Sequence, residues 1–111
     1  MQDRINESDW RIFKPLREKA LERFCERVLD EVVRIRAETG KTQHERYIEI
    51  YRMMKERDIE LERVFDYLRR STALMQLVGF RSLGLVTDEE YSRFSAPTRE
   101  TVDDLLKPLP S

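Results

Sequence analysis

Apolar side chains along this chain recur in steps of three and four, and nowhere do they alternate strictly with polar ones between turn signals. That spacing puts them on one stripe of a helix, so the pattern predicts an all-α protein. The longest stripe is Leu16, Ala20, Leu21, Phe24, Val28, Val32 and Ile35, closed by Gly40 as a left-handed cap. Upstream, Ser8 is a suitable N-cap with Asp9 in the first turn. Pro15 predicts either a restart of the helix or a kink, because proline removes one hydrogen bond and crowds the preceding turn.

Thr42 and Glu45 have capping-box spacing and open a second helix whose apolar face reads Tyr47, Ile48, Tyr51 and Met54. Asp58 is a good cap for a new helix, which predicts a break near Arg57 and Asp58. A third helix then carries Leu61, Val64, Phe65, Leu68, Met75 and Val78 and ends at Gly84. Thr87 and Glu90 form a second capping box, with Val86 and Tyr91 at hydrophobic-staple positions. A last helix starts near Ser95 or Thr98, takes Pro97 in its first turn, and buries Val102, Leu105 and Leu106.

These segments predict a compact bundle of four to five helices with a short C-terminal helical hairpin. Two long antiparallel helices, about 16–38 and 59–83, would frame it. With 111 residues the chain suffices for one domain, 1–111, with 1–7 and 107–111 expected to be flexible.

Composition narrows the function classes. Charged residues make up 39%, above the usual fraction of about a quarter, which fits solvated helix faces. Net charge is −1. The first 57 residues hold 14 basic and 12 acidic side chains and the rest hold 7 and 10, too small an asymmetry to argue for a polyanion partner. The single cysteine, Cys25, precludes an intrachain disulfide and a thiolate metal cage, and suits a reducing compartment. The opening residues lack an apolar run, and no stretch approaches the roughly 18 apolar residues of a membrane span. The expected location is therefore the cytoplasm, without a membrane partner.

No catalytic centre is expected. His44, the only histidine, falls in the first turn of a capped helix without a Glu-x-x-His partner, as Lys41 stands three residues before it. Cys25 sits mid-helix among Glu22, Glu26 and Arg27, where core packing is expected rather than nucleophilic chemistry. Glu18, Glu22, Glu26 and Asp30 make an acidic ridge beside a basic ridge of Lys19, Arg23 and Arg27, expected to be a solvated face with pairs along the helix. The three glycines are isolated, so no phosphate-cradling loop can be written, and no cofactor or small-molecule substrate is evident.

The leading expectation is a non-enzymatic protein-interaction or regulatory module, with a protein partner or a second copy of itself as a homodimer. Trp10 and Phe13 precede the proline outside the main stripe. Ile50, Met53, Tyr67, Leu74 and Leu77 fall off the other stripes, and together these seven are the candidate partner surface. One alternative is nucleic-acid binding through a basic patch of Arg63, Arg69, Arg70 and Arg81. It is not favoured, because the following helix is acidic where phosphates would lie. A second alternative is a carboxylate-based metal-binding bundle.

Overall fold

The computed structural model describes residues 4–108, which form five helices and, among the described residues, no strand. They are α1 (Glu7–Arg36), α2 (Gln43–Val64), α3 (Arg70–Ser82), α4 (Asp88–Ser92) and α5 (Ala96–Leu106). The all-α bundle expected from the apolar spacing is what the chain adopts.

Helix α1 starts before the expected cap. Asn6, rather than Ser8, caps it, its side-chain oxygen accepting from the Asp9 N–H at 2.8 Å and from the Ser8 hydroxyl at 2.8 Å. The helix neither restarts nor ends at Pro15, which lies on its exposed side, where water can satisfy the carbonyl left without an amide partner. Ile5, within the segment expected to be loose, is buried in the core, and its carbonyl accepts from the Arg70 guanidinium at 2.9 Å. Residues 109–111 of the expected C-terminal tail lie outside the described residues.

The break expected at Asp58 is absent. Helix α2 continues to Val64, and the chain turns at residues 65–69 instead. Asp58 stays exposed, while Arg57 beside it bridges Glu31 of α1 at 3.3 Å and Glu60 at 3.2 Å. No glycine or proline marks the real linker. Its carbonyls are gathered by three side chains, Arg17, Gln76 and Thr72, the last donating to those of Tyr67 at 3.0 Å and Arg69 at 3.1 Å, in place of bonds that a helix would have made. Arg17 donates to the carbonyls of Phe65 at 3.3 Å and Asp66 at 2.9 Å. Buried Gln76 donates to those of Asp66 at 3.2 Å and Tyr67 at 3.0 Å, and accepts from Arg17 at 3.1 Å. The framing pair is therefore α1 and α2, and the third helix has 13 residues.

Helix α2 is also rotated from expectation. Ile50, Met53, Leu61 and Val64 pack into the core, while Tyr47, Tyr51 and Met54 face solvent. From Ile50 through Met53, Arg57 and Leu61 to Val64 the inward row steps by three, four, four and three, and the Arg57 bridge to Glu31 fits that rotation. Gly79 lets α3 approach α2 closely, since a Cβ there would stand 3.0 Å from a Val64 methyl.

Helix α3 ends as a Schellman motif. Gly84 has φ +66°, its N–H bonds to the Arg81 carbonyl at 3.1 Å, and the Leu85 N–H reaches the Phe80 carbonyl at 2.8 Å. Both predicted capping boxes form, and Val86 and Tyr91 are buried at the staple positions. The core centres on Phe80, stacked on Phe13 at 5.7 Å and tilted against Phe65 at 5.0 Å.

The radius of gyration is 17.0 Å, above the roughly 13 Å typical of a compact chain this long. Among the described residues, the hydrogen bonds from α3–α5 to α1 reach no further along it than Arg27. Beyond that point α1 bonds to α2, through Glu31–Arg57 and Arg36–Gln43, so the outer part of this hairpin forms a two-helix arm.

Candidate functional site

Most of the candidate partner surface is interior. Phe13, Met53, Leu74 and Leu77 are buried, and Trp10 and Ile50 are half-buried against the core. Trp10 stacks on Phe13 at 5.9 Å, with the Lys14 ammonium 5.5 Å from its ring. Of the seven, only Tyr67 is exposed. These residues lie off the stripes because the core has several helical sides, so a second row inward is needed where α1 meets both α2 and α3.

The basic patch does not assemble either. Arg70 pairs with Glu7 at 3.0 Å and the Ile5 carbonyl, tying α3 to the start of the chain. Arg81 pairs with Asp88 at 2.9 Å and lies 4.2 Å from the Tyr91 ring. Arg69 stacks on Tyr67 at 4.9 Å, and Arg63 is exposed on α2. Two of the four are thus occupied in holding helices together.

The acidic ridge of α1, Glu18, Glu22, Glu26 and Asp30, is exposed as expected, but Arg23 and Arg27 of the basic ridge are not simply solvated. Arg23 grips Glu90 with both nitrogens, at 2.7 and 2.9 Å, and also donates to the Leu85 carbonyl at 2.9 Å. Arg27 donates to the carbonyls of Leu83 at 2.5 Å and Gly84 at 2.6 Å. The basic ridge is therefore a seam onto the α3–α4 turn. The Arg23 guanidinium, together with the Thr87 cap, holds the Glu90 carboxyl down at about 2. Burial, then the Asp103 carboxylate, pushes the Tyr91 hydroxyl up. The fourth helix owes its place to these contacts, which local sequence could not announce.

A buried carboxylate was also missed. Asp9 accepts from the Ser95 N–H at 2.9 Å, the Ser95 hydroxyl at 2.6 Å and the Thr98 hydroxyl at 2.6 Å. It acts as a cap for α5 supplied from α1, since Ser95 itself makes no side-chain capping bond. Its lone pairs are spent on structure. His44 is exposed, and among the described residues no three His, Cys, Asp or Glu side chains converge as metal ligands would. Cys25 is not packed in the core as expected but is an exposed free thiol, because it lies one residue, about 100° round the helix, beyond the buried Phe24.

Exposed apolar side chains occur at Tyr67, Leu68 and Met75 too, but five of them gather on one face of the arm. Leu29 is 62% exposed, Val33 65%, Tyr47 69%, Tyr51 56% and Met54 42%. Leu29 follows Arg27 by two residues, about 200° round the helix, so it points away from the layer that Arg27 grips. Tyr47, Tyr51 and Met54 step by four and three on α2, the spacing of a helix-pairing seam. The two rows meet at a cleft of about 180 Å³ whose floor is formed by Phe24, Cys25, Val28, Leu29, Met54 and Leu61, with Arg57 and Asp58 at its edge. A larger groove beside Met75, Leu105 and Leu106 is lined in part by Glu60, Arg63, Asp66 and Thr72, so it is more mixed in character.

No protein-family model, curated protein or solved structure matches this chain. The function must be read from the molecule's own surfaces. No helix among the described residues is long and apolar enough to cross a membrane.

Proposed function

We propose that this chain is a non-enzymatic protein–protein interaction module that works through the apolar face of its α1–α2 arm. The supporting observation is the continuous run of Leu29, Val33, Tyr47, Tyr51 and Met54 in solvent, on two helices that already pair with each other. A contiguous apolar patch of this kind marks a contact site more often than a chance exposure. Aromatic and methionine side chains, enriched at interface cores, make up most of the α2 row. The polar clusters elsewhere are engaged in holding helices together, and the exposed Met75, Leu105 and Leu106 lie beside a groove with charged walls, so the arm carries the more apolar surface. An exposed free thiol at Cys25 fits a reducing compartment, and we assign the protein to the cytoplasm on that ground.

The test is the size of the assembly in lysate of the native host. The wild-type chain should elute well above its 13.4 kDa, and Leu29→Asp with Tyr51→Asp should shift it to the monomer position with unaltered circular dichroism. Identical elution of both chains would remove the reading.

A further inference from the structure

We infer that the occupant of the arm's apolar face is a second copy of this chain, which lays its own arm across it to build a four-helix bundle; this rests on the interaction reading above. Two observations carry it. The first is area. Leu29, Val33, Tyr47, Tyr51 and Met54 present roughly 500 Å² per copy, at about 100 Å² per side chain. Two copies would bury about 1,000 Å², the threshold that a specific interface must clear. A two-helix arm has only Val28, Ile35 and Met53 as fully buried apolar residues along it, whereas a four-helix arrangement gives both rows a partner.

The second observation is the charge of the two rims. On α1 the apolar row is flanked on its outer side by exposed Glu26 and Asp30. On α2 it is flanked by exposed Arg52 and Lys55, the Lys55 ammonium lying 5.3 Å from the Tyr51 ring. Two copies can meet face to face about a two-fold axis in two ways. An axis across the helices sets α1 over α1, acid against acid and base against base. An axis along the helices sets α1 over α2 of the second copy, and then Glu26 and Asp30 face Lys55 and Arg52 on both sides at once. The hairpin register supports that match, because Glu31 bridges Arg57 and Leu29 shares its cleft with Met54. Nearer the base, Glu22 would meet Asp58 and Glu62. Like charges there confine close pairing to the arm and let the helices splay, as a crossing angle of about 20° requires. The charge pattern selects the axis along the helices.

Charge reversal distinguishes these arrangements. Molar mass would be measured by light scattering on the eluting full chain at tens of micromolar, for wild type, for Glu26→Lys with Asp30→Lys, and for Arg52→Glu with Lys55→Glu. All four positions are exposed, and circular dichroism checks that each variant folds. Wild type should run at twice the chain mass. Each reversed chain should self-associate roughly tenfold or more weakly, because both rims then carry one sign. An equimolar mixture of the two reversed chains should recover the dimer, since each rim again faces its opposite. A monomeric wild type, or a mixture that stays monomeric, overturns the inference. If wild type is monomeric alone while the lysate assembly still depends on Leu29 and Tyr51, the second copy is wrong and the interaction reading stands. If the lysate assembly ignores those residues, the interaction reading itself falls.

Discussion

Replacing Asp9 with alanine should destabilise the fold more than any surface substitution. Three donors converge on its carboxylate within 2.9 Å: the Ser95 N–H and the hydroxyls of Ser95 and Thr98. Hydrogen bonds to a charged group contribute about 1.5–3 kcal/mol each, but their energies do not add, because all three depend on one anchored oxygen pair. Removing that anchor takes the acceptor away from three donors and uncaps α5, at a combined cost of about 3–5 kcal/mol. For a domain of this size that corresponds to a fall of roughly 10–20 °C in Tm. The assay is urea unfolding followed by circular dichroism, with the midpoint falling and the slope unchanged. Asp9→Asn keeps an acceptor for the Ser95 N–H, and the two hydroxyls can rotate to accept from its amide, so roughly 1–2 kcal/mol should be lost. Thr98→Val combined with Asp9→Ala should show a coupling of about 1 kcal/mol or more in a double-mutant cycle. A loss below about 1 kcal/mol for Asp9→Ala, or additive behaviour with Thr98→Val, would refute the capping role argued for this carboxylate.

Three further outcomes are expected. Glu90 titrates near 2 in the folded chain, below its ordinary 4.5, so its contribution is fully present above pH 4.5 and is lost as pH falls toward 2. Comparing urea midpoints of wild type and Glu90→Gln, the gap of about 2–3 kcal/mol at neutral pH should shrink by pH 3; a constant gap would remove the Arg23 pairing as its cause. Gly79→Ala should bring little or negative change, because the added Cβ meets the Val64 methyl at 3.0 Å, whereas in a Val64→Ala background it should stabilise by about 1 kcal/mol in thermal unfolding. Cys25, exposed beside the arm cleft, should be modified by a thiol reagent in the native chain as fast as in urea when dilute; strong native protection at that dilution would contradict its placement.

Much of this fold is legible in sequence wherever the signal is local. The capping boxes at Thr42 and Thr87, the Val86–Tyr91 staple and the Gly84 turn all follow from residues within a few positions of one another. The α1 stripe from Leu16 to Ile35 is equally readable, since its members share one face. The linker at 65–69 is not, because Arg17 and Gln76 make it from 48 and 10 residues away. Asp58 misled for the same reason in reverse: its capping propensity is real but weaker than the packing of Arg57 and Leu61 against α1 and of Val64 against α3. The rotation of α2 was ambiguous in principle. Two apolar rows run along that helix, and periodicity shows that rows exist without saying which one faces inward. The true inner row holds Ile50 and Met53, and the row read as the core face, containing Tyr47 and Tyr51, became the candidate site.

Asp9 meets Ser95 and Thr98 across 86 and 89 residues of chain. Such a clasp closes one of the largest loops the polypeptide can form, and its entropy must be met before the clasp rewards it. During synthesis, α1 is made long before Ser95 and Thr98, and the Asp9 carboxylate stays unmatched until they emerge. A nascent chain halted before Ser95 would hold its helices without the fastening that ties the first helix to the last.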